Sequence, residues 1–287
     1  MKSSLLSPLL CVLLTAALAA QDEPLRVHII GASVSGGFRD GPAFGAEKQG
    51  DSVTLQQLLK RWAAGDARVT THNTVQMTLL FTDPEKIGAD EIGMLKRAKP
   101  DIVVALDFPF WFAYGRVGGD QKAARGERFR KGLELLGEID APLLVGDLPN
   151  MHGAARRMLS PAQIPAPEVL DALNAELRGW AAEHDNVHLV EFAAIANEMR
   201  TKGIALPLED GALPTPPGAI LQEDRLHPTR LGMALLGYTL QQPLAALFPA
   251  DHPLHGRHWT FDEFVAAAGA DGELELLMEQ AEAKGKR

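Results

Sequence analysis

Short apolar runs alternate along this chain with longer stretches in which apolar residues return every three or four positions. Runs of the first kind, bounded by polar or small residues, are the pattern of strands buried on both faces. The second kind is the pattern of helices packed by one face. In chain order, strands are expected at 26–30, 68–72, 101–106, 142–146 and 187–192. The clearest is Asp-Ile-Val-Val-Ala-Leu at 101–106. A helix at 51–64 rests on Leu55, Leu58, Leu59 and Trp62, with Asp51, Ser52 or Thr54 as its cap. A second at 90–98 turns Ile92 and Leu95 inward and is stopped by Pro100. Others are expected at 124–139 (Phe129, Leu133, Leu136), at 167–184 (Val169, Leu170, Leu173, Leu177, Trp180), at 193–202 ahead of Gly203, and at 229–247 (Leu231, Leu235, Leu236, Leu240). Residues 203–226 read as a long proline-rich loop.

Strands separated by helices argue for a parallel sheet with both faces covered. Right-handed crossovers then make a three-layer α/β/α, doubly wound parallel sheet of about five strands. Residues 21–250 form this domain, and 251–287 read as a C-terminal helical extension with short helices at 261–268 and 273–283. Residues 1–20 stand apart. Lys2 precedes an apolar run over 5–18, and Ala17-Leu18-Ala19-Ala20 offers a small-x-small cleavage site. That is a signal peptide rather than a membrane span, so the protein is expected to be exported, periplasmic or extracellular. Cys11 is the one cysteine and lies in this leader, so what remains is expected to be held by its core without disulfides. The leader carries Lys2 and no acid, so its removal takes the net charge from −9 to −10. An acidic chain without a basic run has no pull toward nucleic acid or anionic membranes.

Candidate chemistry begins where the first strand ends, at Gly31-Ala32-Ser33-Val34-Ser35-Gly36-Gly37. In open parallel sheets, ligands bind at the carboxyl ends of strands. Ser33 reads as a turn residue, part of a phosphate cradle, or a nucleophile. The stretch matches neither Gly-x-Gly-x-x-Gly nor the Gly-x-x-x-x-Gly-Lys loop, which weighs against a phosphate cradle. A nucleophilic serine needs a base and a group to orient that base. Asp224-Arg225-Leu226-His227-Pro228 supplies both types three residues apart, with Pro228 suited to the first turn of the next helix. By themselves, Asp224 and His227 read better as a loop ion pair. Gly50-Asp51-Ser52 follows no apolar strand and reads as a helix start, with Ser52 as a capping residue. His252, His255 and His258 have metal-like spacing, but Pro253 and Gly256 make a solvated loop the better reading. Phe108, Phe110, Trp111, Phe112 and Tyr114 follow the third strand and fit either a packed lid or the apolar wall of a pocket.

Gly-x-Ser-x-Ser after the first strand and Asp-x-x-His-Pro before a C-terminal helix together resemble the SGNH/GDSL hydrolases, over roughly residues 26–247. The resemblance implies a flavodoxin-like three-layer fold and ester hydrolysis by an esterase, lipase-like enzyme or carbohydrate deacetylase. It implies Ser33 as nucleophile, His227 as base and Asp224 as the residue that orients it, with no cofactor. The partner is then a small-molecule or carbohydrate ester. The chain departs from the family pattern in three blocks. Gly31-Ala32-Ser33 stands for Gly-Asp-Ser, 73–78 contains no glycine, and Asp107-Phe108-Pro109-Phe110 contains no asparagine. Asn73, Asp107 and Asn150 are therefore the candidates for oxyanion or substrate contact, beside the N–H of Ser33. The same departures motivate an alternative, an SGNH-type protein that binds a carbohydrate or acyl ligand without turnover.

Overall fold

The computed structural model describes residues 23–71, 83–154, 156 and 158–285. The leader at 1–20 and Asn73 lie outside the described residues. The elements are β1 (Leu25–Ile29), α1 (Leu55–Ala63), β2 (Ala67–Thr71), α2 (Pro84–Ala98), β3 (Ile102–Ala105), α3 (Phe110–Ala113), α4 (Gln121–Leu136), β4 (Leu143–Gly146), α5 (Pro167–Ala182), β5 (Val187–Val190), α6 (Phe192–Thr201), β6 (Ala205–Leu208), β7 (Gly211–Pro214), α7 (Arg230–Ala245), α8 (Phe261–Ala268) and α9 (Asp271–Gly285).

The main sheet runs β2-β1-β3-β4-β5, every pairing parallel. This is the flavodoxin-like order, as the resemblance implies. Successive strand residues face opposite sides. Val27, Ile29, Ile102, Val104 and Leu144 pack with α1, α6, α7 and α8. Ile30, Val103, Ala105, Leu143 and Val145 pack with α2, α3, α4 and α5. The strand order reverses beside β1, so the crevice for a ligand opens at the carboxyl ends of β1 and β3.

Several elements differ from the sequence expectation. Helix α1 starts at Leu55, because Thr54 accepts from Gln57 N and Gln57 in turn accepts from Thr54 N. Ser52 does not cap it: its side chain is buried and its Oγ has no partner among the described residues. Helix α2 begins at Pro84 rather than 90, since Asp83 caps it and proline suits the first turn. The expected loop at 203–226 contains the antiparallel hairpin β6–β7, with Pro207 opposite Ala212 and Pro214 opposite Ala205. Proline is tolerated in such a ribbon because each strand has a free edge.

The extension packs into the main core. Phe261, Phe264, Val265 and Ala268 of α8 are buried against α1 and α7. They meet at Gly237, where a Cβ would lie 2.5 Å from Leu58 Cδ2 and 2.8 Å from Phe264 Cδ1. The aromatic run after β3 is also core, with all five side chains buried. Tyr114 OH donates to Pro149 O at 2.5 Å. Arg125 donates to the carbonyls of Ala113 and Ala162, and Arg128 to those of Phe112, Tyr114 and Arg116. The two arginines thus satisfy carbonyls that the single turn of α3 leaves open. Burial, followed by the neighbouring charge of Arg125, lowers the Arg128 guanidinium to about 10. In the tail, each histidine ring bonds to nearby backbone: His252 to Leu254 N, His255 to Phe248 O, His258 to Trp259 O.

Candidate active site

The chain leaves β1 in a tight helical turn. Gly36 N bonds to Ala32 O at 3.0 Å, and Phe38 N to Ser33 O at 2.9 Å. Asp107, just past β3, holds this turn from beneath. Its Oδ1 accepts from Ala32 N at 2.9 Å and Ser35 Oγ at 2.5 Å; its Oδ2 accepts from Val34 N at 2.8 Å and Ser35 N at 3.1 Å. Gly31 permits that approach, since a Cβ there would lie 2.3 Å from Asp107 Oδ1. From the sequence, Asp107 is a candidate for the oxyanion or the substrate. In the structure both its oxygens are committed to the turn, and a carboxylate accepting four hydrogen bonds has no donor to offer an oxyanion. The amide of Ser33 is not among those it holds.

The other half of the site is the loop before α7. Gln222 N bonds to His227 O at 2.8 Å, and Thr229 N to Ile220 O at 3.0 Å, closing a narrow loop around Asp224. Asp224 Oδ1 accepts from Leu226 N at 2.9 Å and His227 N at 3.0 Å. Asp224 Oδ2 lies 2.6 Å from His227 Nδ1, and His227 Nε2 lies 2.7 Å from Ser33 Oγ. The carboxylate can only accept, so Nδ1 carries the proton and Nε2 presents its lone pair to the serine hydroxyl. Asp224 and His227 are 0% and 2% exposed, so water does not compete for this pair. Burial pushes the Asp224 carboxyl up, but the His227 ring and the two amides outweigh it and hold the group below its usual 3.8. The ring of Phe38 lies over His227, centroids 4.3 Å apart. Residues 194 positions apart thus meet at the reversal point of the sheet.

Two buried side chains fasten the halves together. Gln222 Oε1 accepts from Asp40 N at 2.8 Å, while its Nε2 donates to Phe38 O at 2.7 Å and Pro228 O at 2.9 Å. It therefore ties the stretch after Ser33 to the residue after His227. Arg200 of α6 donates to Arg225 O at 2.9 Å and Asn150 O at 2.6 Å; Arg225 donates back to Arg200 O at 2.9 Å. These bonds steady Arg225, whose φ of 56° lies in the left-handed region between Asp224 and His227. A lone glutamine or arginine carries no sequence signal for such a role; only the position of Gln222 beside Asp224 points that way. Asn150 bonds to His152, Asn197 and Arg200, not to Ser33 or His227. Asn73 lies outside the described residues.

No protein-family model and no curated protein matches this chain. Solved structures similar to it include a GDSL-like lipase from Bacteroides thetaiotaomicron, 13% identical, with 84% of this chain and 98% of that one covered and a TM-score of 0.43. Another is a catalytic mutant of an acetylxylan esterase from Geobacillus stearothermophilus, 16% identical over 75% of this chain and 92% of that one, TM-score 0.42. Among the described residues, no helix is long and apolar enough to cross a membrane.

Proposed function

We propose that this chain is an exported serine hydrolase that cleaves an ester. The observation that carries the proposal is the continuous chain of contacts from Asp224 through His227 to the Ser33 hydroxyl, at 2.6 and 2.7 Å. The motif resemblance to SGNH/GDSL hydrolases points the same way. In this reading His227 Nε2 takes the proton from Ser33 as Oγ attacks the ester carbonyl. The free N–H of Ser33 donates to the oxyanion. His227 then hands the proton to the departing alcohol, leaving an acyl group on Ser33. Water, deprotonated by His227, attacks that acyl group, and the acid leaves with Ser33 restored. Asp224 stays ionised and balances the imidazolium formed in each half. The substrate is a small-molecule or carbohydrate ester.

A fluorophosphonate probe tests this, since it marks only a serine activated in this manner. The full chain is expected to label on Ser33, and Ser33→Ala, with an unchanged circular dichroism spectrum, is expected to lose the label. A well-folded wild type that takes no label and releases no p-nitrophenol from p-nitrophenyl acetate overturns the hydrolase reading. Such a result supports the non-catalytic ligand binder, which the missing glycine at 73–78 and the missing asparagine at 107–110 motivate.

A further inference from the structure

Three rings stand in a row beside the Ser33 hydroxyl. The Phe38 ring lies 4.3 Å from the His227 ring, and the Phe44 ring lies 5.1 Å from Phe38, tilted by 57°. Phe38 is half-buried. Phe44 is 45% exposed and is the only exposed phenylalanine, tyrosine or tryptophan among the described residues. A lone exposed aromatic needs no explanation, but this one continues a file of rings that ends on the imidazole bonded to Ser33.

The stretch carrying the two rings is fastened to the site at both ends. Phe38 N bonds to Ser33 O, and Gln222 holds Phe38 O and Asp40 N. Farther along, Gly50 N bonds to Asp40 O at 2.8 Å, and the Glu223 carboxylate accepts from Glu47 N at 2.9 Å. Phe44 is thereby presented to solvent by a braced segment, and a pre-organised surface of this kind binds with little ordering cost.

The side of the site is set by proton transfer. His227 Nε2 gives its proton to the departing alcohol, so the alcohol oxygen lies within hydrogen-bond reach of that atom. The Phe38 ring packs on that same imidazole and the Phe44 ring packs on Phe38, so the two rings border one route away from the alcohol oxygen. Building on the hydrolase reading, we propose that Phe38 and Phe44 form the alcohol subsite and that the alcohol presents a flat, apolar-faced ring to them. Aryl and pyranose rings share that chemistry, the first through its π face and the second through its axial C–H groups.

The test varies the alcohol while holding the acyl group as acetate: ethyl acetate, phenyl acetate, and a methyl glucoside acetate. Truncating an aromatic contact changes binding about 2- to 10-fold. Phe44→Ala is therefore expected to lower kcat/KM by that factor on the ring esters, through KM, and by less than 2-fold on ethyl acetate. Phe44→Tyr is expected to restore it. A loss on phenyl acetate alone identifies the aryl ring, and a loss on the glucoside acetate alone the sugar. An equal loss on all three esters overturns the proposal, as does a loss that follows acyl length when p-nitrophenyl butyrate replaces the acetate. Calorimetric binding of benzyl alcohol and methyl glucoside against ethanol, by the full-length Ser33→Ala protein, reads the subsite independently of turnover. Absence of any ring preference there sinks the subsite; presence of it without esterase activity sinks only the hydrolase reading.

Discussion

Replacing Asp107 by asparagine tests the most heavily bonded group in the site. The carboxylate accepts three amides and one hydroxyl while 4% exposed. Asparagine keeps the shape but turns one oxygen into a donor. If the new NH2 takes the place of Oδ2, the amides of Val34 and Ser35 both face a donor. If it takes the place of Oδ1, the amide of Ala32 is orphaned, while the Ser35 hydroxyl can rotate and accept. The second orientation is the cheaper. An orphaned buried amide costs about 1–3 kcal/mol, and exchanging charge-assisted bonds for neutral ones adds about 1 kcal/mol. A loss of about 2–4 kcal/mol in urea unfolding at pH 7 is therefore expected, against a typical total of about 5–15 kcal/mol. The turn carries Ser33, so fluorophosphonate labelling is expected to slow at least tenfold even when the variant is fully folded. A variant that loses less than about 1 kcal/mol and labels at the wild-type rate refutes the idea that this carboxylate sets the turn that carries Ser33.

Other substitutions probe other links. Gln222→Ala removes three hydrogen bonds at once, two of them buried, and is expected to cost about 2–4 kcal/mol in urea unfolding, with slower labelling of Ser33. Asp224 has a folded-state pKa below its usual 3.8. Its ionisation therefore adds stability that is complete above the unfolded value and lost as pH falls through the lower folded one. The stability gap between wild type and Asp224→Asn, measured from pH 7 down to pH 3, is thus expected to be flat above about pH 5 and to shrink below it. Gly237→Ala drives a methyl group into Leu58 and Phe264 and is expected to lower stability by about 1–3 kcal/mol, read as a fall in Tm with the labelling rate intact.

The layered architecture is legible in the sequence because parallel strands buried on both faces appear as unbroken apolar runs, as at Val103 to Leu106. Its edges are less legible. Hairpin β6–β7 hides among prolines because its residues are half-exposed and keep no strict alternation. The sequence offers three capping residues for the start of α1, and local geometry selects Thr54, leaving Asp51 to pair with Arg39 and Arg230. Ser33, Asp224 and His227 stand out in sequence because their chemistry has a recognisable spacing, and the structure brings the three together. The supports do not stand out. Asp107, Gln222 and Arg200 act on backbone groups far away in the chain, and a bond to a main-chain amide or carbonyl leaves no mark on the identity of its partner.

The helix pair α1 and α8 has a consequence for how the protein comes into being. Leu58 and Phe264 both close on Gly237, yet 206 positions separate them in the sequence. During synthesis the first helix emerges long before the residues that cover it. Joining segments so far apart is entropically slow, and the early half waits with its apolar face bare. The core on this side of the sheet is therefore complete only once α8 has been made and can close over α1 and α7.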